Sequence, residues 1–299
     1  MRIDPNISSN ILADLQQSQV SLNTALQQVS TGLSVNNPSD NPSAAAEMVQ
    51  NSVESADVDQ YTQNVSSALS TVQTASSVLS SVVSSLTSAV SAGTEGANGT
   101  NSTADLQSLA AQVQGILNSV VNSANTSVSG SFLFGGTSTT TPYTADASSP
   151  TGFTYNGNND TNSVAVGDQT SVQLNLPGSQ IFSSSSNNVI GALSSLVTAL
   201  QSGNTADIKS STAAVSSAVS FVGQQQVFYG NAETQLNSQE TFLQQDTVSL
   251  TTQATNLIGV NEATAATNLT QAETDNSAAL AAAAKVLPNS LLNFLSPPE

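Results

Sequence analysis

Apolar residues between Ile11 and Val35 recur at heptad spacing. This pattern predicts a coiled-coil helix about three heptads long. Its flanking residues are Gln, Ser, Asn and Thr, so shape and burial must select its partner instead of ion pairs. One heptad position holds Leu12, Leu26 and Leu33, and the other holds Leu15, Leu22 and Val29.

A block with two prolines separates this helix from a second, much longer one. Pro38 and Pro42 cannot continue a helix, and Asn41 before Pro42 is typical of an N-cap followed by proline at the first helical position. The second helix is predicted from about Ala44 to Val90. Its apolar residues form a seam, a line of residues at two heptad positions that faces a partner helix. One position holds Val65, Val72, Leu79 and Leu86, and the other holds Leu69, Val83 and Val90.

The stretch from Gly93 to Thr103 has the composition of a turn, after which helical spacing resumes from Leu106 to Val120. We expect this third helix to run back along the second and to end at Ser129-Gly130. Between Ser131 and Phe182 the apolar period becomes that of strands. Aromatic and β-branched residues there alternate between turn signals, which predicts a β-rich insertion of about three to five short strands.

Helical spacing returns at about Asn187, pauses at Gly203-Asn204 and resumes from Ile208 to about Leu257. Within that long helix, leucines recur every seven residues at Leu236, Leu243, Leu250 and Leu257. A last, alanine-rich helix is predicted from about Asn261 to Val286, followed by an apolar tail with nothing nearby in sequence to cover it.

These elements predict a mainly α fold: an elongated antiparallel bundle of long helices with a small β-rich insertion. We expect the insertion at the far end of the bundle and both termini together at the near end. The expected segments are an N-terminal assembly helix (residues 1–43), the first half of a helical rod (44–130), the β-rich insertion (131–185), the second half of the rod (186–257) and a C-terminal assembly helix (258–299).

Surplus apolar surface at both ends of the chain predicts an interface between molecules. The two end segments carry more apolar surface than one partner helix covers, and contiguous exposed apolar surface usually marks an interface. The predicted assembly surface consists of Leu12, Leu15, Leu22, Leu26, Val29, Leu33, Leu269, Leu280, Leu291, Leu292, Phe294 and Leu295.

Composition supports thin helix–helix seams and excludes several classes of partner. Aromatic residues make up only 4% of the 299 residues, and tryptophan is absent, so a wide globular core is not expected. The chain has 20 acidic and three basic residues, for a net charge of −17. Nucleic acid and anionic membrane surfaces are therefore not expected as partners. The N-terminus lacks the apolar core of a signal peptide, and no uninterrupted run suits a membrane span.

Candidate catalytic and metal-binding chemistry is largely missing. The chain has no histidine and no cysteine, so the usual triads, zinc sites and disulfides have no members. Asp57 and Asp59 are two residues apart and face different directions on a helix, which favours a solvated face over a metal site. The run Asn156–Asp160 lacks the acids of a calcium loop and is better explained as a hairpin turn. We therefore expect no enzyme and no cofactor.

Five stretches carry a family resemblance. LQQVSTGLSVNNPSDNPSAAAEMV, with QYTQNV at Gln60–Val65, resembles the N-terminal signature of the bacterial flagellin superfamily. SGSFLFGGTSTTTPY and LPGSQIF are similar to the segments that enter and leave the β region of that superfamily. AETDNSAALAAAAKVLPNSLLNFL resembles its C-terminal helix. The turn form SDNPSAAA is closer to the hook-filament junction proteins of the hook-associated protein 3 type than to flagellin.

The resemblance implies a structural protein of the bacterial flagellum, outside the cell, exported by the flagellar type III system without a cleaved signal peptide. It implies a homo-oligomeric ring that joins another hook-filament junction protein to flagellin, with an export chaperone as a further partner. Two features depart from the family: the helices lack its basic residues, and the acidic cluster before the last helix is reduced to Asn261-Glu262. A divergent flagellin is the nearest alternative, and a secreted coiled-coil adhesin or effector is a more distant one.

Overall fold

The structure is a computed structural model that describes the backbone of residues 7–295 and the side chains of residues 9–285. The chain is predominantly helical. The helices are α1 (Ile7–Thr31), α2 (Pro42–Gly96), α3 (Thr103–Ala124), α4 (Gly178–Ile181), α5 (Val189–Ser202), α6 (Thr205–Ile258) and α7 (Glu262–Leu295). The strands are β1 (Ser127–Val128), β2 (Ser131–Phe132), β3 (Tyr143–Ala145), β4 (Phe153–Tyr155), β5 (Ser163–Gly167) and β6 (Thr170–Gln173). The mainly α fold with long helices and a small β-rich insertion is confirmed.

The chain forms two compact units, which we name after their places in the sequence. The terminal unit comprises Met1–Asp57 and Asp246–Glu299, and the central unit comprises Val58–Gln245. Each of the long helices α2 and α6 contributes residues to both units.

In the central unit, α2 and α6 run antiparallel, as predicted. Gln73 Nε2 donates to Glu233 Oε1 at 2.9 Å, and Gln226 Nε2 donates to the Ser76 carbonyl oxygen at 3.5 Å. Because the residue number rises along one helix while it falls along the other, the pairing can only be antiparallel. A heptad run on each helix supplies the fully buried seam: Val65, Val72, Leu79 and Leu86 on α2, and Ile208, Val215, Val222, Tyr229 and Leu236 on α6.

The second seam position of α2 differs from the prediction. The fully buried residues are Ala68, Ala75, Val82 and Ala89, one position before the predicted Leu69, Val83 and Val90, which are half-buried. Small side chains let neighbouring helices approach closely, so the larger residues beside them cover the edges of the seam.

Helices α3 and α5 complete the helical part of the central unit. Ser102 caps α3 through a capping box, in which its hydroxyl accepts from the Asp105 N–H and the Asp105 carboxylate accepts from the Ser102 N–H. Asn188 caps α5 by accepting from the Gly191 N–H at 2.7 Å. Gly96, the last residue of α2, packs closely against Leu200, so an added Cβ would require the end of the Leu200 side chain to shift.

The β-rich insertion consists of three separate antiparallel ribbons, β1–β2, β3–β4 and β5–β6. Five of the six strands fall in the predicted segment, and β1 precedes it. Ser129-Gly130 does not end α3, which was the prediction; both residues have positive φ (50° and 83°) and form the two-residue turn of the β1–β2 hairpin. Positive φ at both central residues matches the twist of the paired strands, which explains the turn. α3 itself ends at Ala124.

The insertion is attached near the middle of both long helices, so its predicted position at the far end of the bundle is wrong. Asn64 Nδ2 of α2 donates to the Ala165 carbonyl at 2.9 Å, and the Leu176 N–H donates to the Tyr229 hydroxyl of α6 at 3.2 Å. The reason is the return of α3: its 22 residues carry the chain back about 33 Å from the end of α2 before the first strand begins.

An aromatic cluster forms the core of the insertion. The rings of Phe134 and Phe182 meet edge to face with centroids 5.2 Å apart, and Tyr143 packs against Tyr155 at 5.1 Å. The Tyr143 hydroxyl donates to the Gly178 carbonyl at 2.9 Å, and burial raises the pKa of Tyr143 well above its ordinary value. These contacts give the short strands a common core despite their separate pairing.

The terminal unit contains α1 and α7, which pack against each other, together with the adjoining parts of α2 and α6. Asn51 on α2 is buried and donates to the Leu250 carbonyl and to Gln253 Oε1, both at 3.0 Å. A backbone bridge joins the α1–α2 and α6–α7 connections: Ser34 N–H donates to Ile258 O at 2.6 Å, and Val260 N–H donates to Gly32 O at 3.0 Å. Both end helices therefore lie in one unit, as predicted.

By length and composition alone, α2 is apolar enough over an 18-residue stretch to cross a membrane. The apolar residues responsible are those of its seam, and Val72, Leu79 and Leu86 are fully buried in the central unit. Between Ser66 and Thr94, the exposed positions of the same helix are Ser and Thr, apart from Gln73. Part of the apolar content of α2 therefore belongs to the core of the central unit, and 33% of the 18-residue stretch is buried.

Candidate assembly surface

The predicted seam of α1 divides into two stripes with different surroundings. One stripe faces α7 and holds Ile11, Leu15, Ser18 and Leu22, all half-buried, together with the buried Ala25. Its residues are three or four apart, which keeps them on one side of the helix. Leu15 and Leu22 of the predicted assembly surface are therefore partly covered within the chain.

The other stripe of α1 is open to solvent. The exposed fractions of the Leu12, Leu26 and Val29 side chains are 58%, 45% and 44%. Leu33, at the same heptad position as Leu12 and Leu26, is half-buried because it lies in the backbone bridge to Gly259. The neighbouring Val20 is 57% exposed and was not predicted.

Alanines form most of the α7 side of the contact. Ala265, Ala272 and Ala283 are buried, and Leu269 is half-buried among them. Leu280 points away from this contact and is 49% exposed. The predicted residues Leu291, Leu292, Phe294 and Leu295 lie outside the residues whose side chains the structure describes, although the backbone of α7 continues through Leu295.

Three further apolar residues of the terminal unit are exposed and were not predicted from the sequence. Val49 and Val53 on α2 are 67% and 57% exposed, and Val248 on α6 is 66% exposed. They lie outside the heptad positions that were used to find the seams. The four-residue spacing of Val49 and Val53 was the signal that could have identified them, since such a pair shares one helix face.

Polar groups at the α1–α7 contact are incompletely satisfied. Ser18 Oγ on α1 and Asn276 Oδ1 on α7 are buried and have no hydrogen-bond partner. Beside them runs a groove whose walls include Gln17, Gln28 and Gln271. Asp14 and Asp275 also line this groove, and Gln271 Nε2 donates to Asp275 Oδ1 at 2.8 Å, so amide, hydroxyl and carboxylate groups lie together beside the contact.

The site has no arrangement suited to catalysis or metal binding among the side chains that the structure describes. No group of three or more acidic residues comes together there as a candidate metal site. Asp57 and Asp59 are both exposed, in agreement with a solvated face. What the terminal unit offers instead is apolar surface.

The chain was compared with protein families, curated sequences and solved structures, and the matches are to flagellar proteins. Residues 4–139 match the family described as the bacterial flagellin N-terminal helical region. A search of curated protein sequences finds no significant match. Among solved structures, a protein described as a flagellar hook-associated protein from Vibrio parahaemolyticus has a TM-score of 0.68 at 20% identity, over 74% of this chain and 100% of that chain.

Two further solved structures share the fold. FlgL from Bacillus cereus has a TM-score of 0.60 at 21% identity, over 69% of this chain and 99% of that chain. The flagellar junction protein FlgL from Legionella pneumophila has a TM-score of 0.59 at 14% identity, over 71% of this chain and 100% of that chain. Residues 4–139 thus match the bacterial flagellin N-terminal helical region, and the chain shares its fold with solved flagellar hook-associated and junction proteins.

Proposed function

We propose that this protein is a structural component of the bacterial flagellum, an adaptor that forms a ring between the hook side and the flagellin filament. The match of residues 4–139 to the flagellin N-terminal region supports a flagellar role. The fold shared with junction proteins favours the adaptor over the repeating filament subunit. Its work is mechanical, because the described site presents packing surfaces without catalytic groups.

The observation that carries the proposal is where exposed apolar side chains lie. Ten large apolar residues with described side chains are exposed, and all except Val227 and Phe242 belong to the terminal unit. Water-exposed apolar surface of this kind is covered when molecules associate. The terminal unit is therefore the surface through which copies contact one another and their neighbours in the flagellum.

The proposed partners follow from this role. Other copies of the chain complete the ring, a second hook-filament junction protein lies on one side, and flagellin lies on the other. The proposed location is the flagellum outside the cell, reached by export without a cleaved signal peptide. An export chaperone would cover the apolar end segments before assembly, because they would otherwise associate prematurely.

The test is a double substitution, Leu12→Ser with Leu26→Ser, in flagellated cells that carry the variant as their only copy. Both side chains are about half exposed or more, so we expect helix content and solubility to stay unchanged while filament growth and swimming are lost. The matched control is Val227→Ser with Phe242→Ser, which removes apolar side chains of similar exposure from the central unit. Full swimming by the Leu12/Leu26 variant would contradict the proposed role of this surface.

A divergent flagellin is the alternative role. Purified protein added to hook-bearing seeds distinguishes the two, because a filament subunit grows long filaments and an adaptor stops at a short ring. Electron microscopy of the seeds gives the readout. Long filaments made of this chain alone would replace the adaptor proposal.

A further inference from the structure

The dipeptide Asn-Gly occurs twice in the chain, in two different surroundings. Asn98-Gly99 lies in the connection between α2 and α3, and Asn156-Gly157 lies immediately after β4. Glycine has no side chain, so nothing hinders the approach of its backbone nitrogen to the side-chain amide of the asparagine before it. These two groups react with each other when they meet. The two sites differ in whether the fold lets them meet.

Asn98-Gly99 is open to solvent, and its reacting groups are not engaged. Both residues are exposed, and Gly99 has open space where a side chain would lie. The Asn98 N–H donates to the Glu95 carbonyl at 3.1 Å, and the Asn98 carbonyl accepts from the Asn101 N–H at 3.3 Å. Within the part of the chain that the structure describes, neither the Asn98 side-chain amide nor the Gly99 N–H has a hydrogen-bond partner. The Asn98 side chain can therefore rotate until its amide carbon meets the Gly99 nitrogen.

Asn156-Gly157 is held on several sides. Asn156 Nδ2 donates to Thr144 Oγ1 at 2.8 Å, and the Asn156 N–H donates to the Pro142 carbonyl at 2.7 Å. Gly157 is half-buried, and the Tyr155 ring lies so close that an added Cβ would meet it. The side-chain amide cannot turn towards the Gly157 nitrogen until its hydrogen bond to Thr144 breaks. The fold therefore protects this second dipeptide.

We propose that Asn98 is a site of spontaneous deamidation through Gly99. The Gly99 nitrogen gives its proton to hydroxide and attacks Cγ of Asn98. The new N–Cγ bond closes a succinimide ring, the bond from Cγ to the side-chain nitrogen breaks, and ammonia leaves with a proton from water. Water then opens the ring at one of its two carbonyl groups, which gives aspartate or isoaspartate. The net change is from amide and water to carboxylate and ammonium, and it does not depend on the proposed function.

The reaction changes the connection that follows α2. A carboxylate at residue 98 lies just beyond the C-terminus of α2, where the helix dipole disfavours negative charge and where Glu95 already occupies the last turn. Isoaspartate also adds an atom to the main chain, which moves the carbonyl of residue 98 away from the Asn101 N–H. Deamidation therefore loosens the turn between α2 and α3 as the protein ages.

Peptide mass spectrometry of the purified full chain measures the reaction. The protein is kept in warm, mildly alkaline buffer and sampled over several weeks, once folded and once in urea. In the folded protein we expect Asn98 to convert faster than Asn156 by about tenfold or more, because each hydrogen bond that must break first raises the barrier. In urea the two rates should become similar, since the contacts around Asn156 are lost. Equal rates in the folded protein, or a difference that persists in urea, would overturn the proposal.

Gly99→Ala is the matched variant. The space around Gly99 accommodates a Cβ, so we expect the circular dichroism spectrum to stay unchanged. The added methyl group hinders the attacking nitrogen, so conversion at Asn98 should fall by about tenfold or more. Conversion at Asn156 in the same sample should keep its rate. An unchanged rate at Asn98, or a product that contains aspartate without isoaspartate, would show hydrolysis without ring closure and would overturn the role of Gly99.

Discussion

The terminal and central units are built from similar helices but differ in what those helices bury. In the central unit the largest fully buried side chains include Tyr229, Phe134, Leu79 and Ile190. In the terminal unit, as far as its side chains are described, the buried apolar residues are five alanines and Leu250. A buried leucine contributes about 1.5–3 kcal/mol through the hydrophobic effect, and an alanine contributes much less.

The difference in buried side chains indicates what stabilises each unit. The central unit has a core that can hold it folded as a single molecule. The terminal unit has thin, alanine-lined contacts and leaves leucines and valines in water, so it gains most when further surface is covered. The end segments are incompletely buried in the single molecule. This is what we expect of a protein whose ends become fully ordered when copies associate.

The largest expected effect comes from opening the core of the central unit. Leu79 is fully buried, so Leu79→Ala should lower the free energy of unfolding by about 2–5 kcal/mol. Leu26→Ala is the matched change in the terminal unit, and we expect less than about 0.5 kcal/mol from it because Leu26 is 45% exposed. Urea denaturation followed by circular dichroism measures both. Equal losses would show that the two units are packed alike.

Limited proteolysis of the free protein compares the local stability of the two units. We expect the end segments to be cut first, leaving a core near residues 45–255, at rates on the order of a hundredfold above those of cuts within that core. Mass spectrometry of the fragments locates the cuts. Uniform resistance along the chain would remove the contrast between the units.

Alkaline pH should destabilise the central unit selectively. All four tyrosines lie within Val58–Gln245, and burial raises the pKa of Tyr229 to about 12. Because the folded state holds the phenol proton more tightly than the unfolded state, stability is constant below pH 10 and falls as pH rises from 10 towards 12. The shift corresponds to about 2–3 kcal/mol for Tyr229.

The control for this prediction is Tyr229→Phe. It should cost about 1 kcal/mol at neutral pH, because the Leu176 N–H loses its acceptor. It should also reduce the fall in stability between pH 10 and 12, measured by denaturation at each pH. An unchanged slope would mean that Tyr229 does not account for the alkaline transition.

The smallest expected effect concerns the capping box at the start of α3. Ser102→Ala removes the acceptor for the Asp105 N–H and should lower the free energy of unfolding by about 1 kcal/mol. Hydrogen bonds from Ser102 hold the pKa of Asp105 below its usual value, so the stabilisation by these bonds to the Asp105 carboxylate is present at neutral pH and is lost as pH falls. Ser108→Ala, at an exposed interior position of α3, is the control and should be nearly neutral.

Sequence periodicity predicted those parts of the fold in which large residues mark the buried face. Val65, Val72, Leu79 and Leu86 were assigned to a seam and are fully buried. Periodicity failed at Ala68, Ala75 and Ala89, because alanine is common on every face of a helix and carries little hydrophobic signal. The position of the β insertion along α2 and α6 is set by how far α3 and α5 run back along these long helices. The identities of single residues do not give that distance.

The assembly surface was predicted only in part for a similar reason. One heptad pattern on α1 could not show that Leu15 and Leu22 face α7 while Leu12 and Leu26 remain open. That division depends on which side of α1 the partner helix approaches. Val49, Val53 and Val248 fall outside the predicted heptad positions; the four-residue spacing of Val49 and Val53 places them on one helix face, but only the folded structure shows that this face is exposed.

The backbone bridge between Gly32–Ser34 and Ile258–Val260 has a mechanical consequence. It ties together two points more than 220 residues apart along the chain, where Ser34 Oγ also donates to Ile258 O at 3.0 Å. A pulling force applied through α1 or α7 would act on this backbone bridge before it acts on α2 and α6. Most hydrogen bonds of this bridge are made by main-chain groups. Substitutions of the side chains around it would therefore leave its resistance to force largely unchanged.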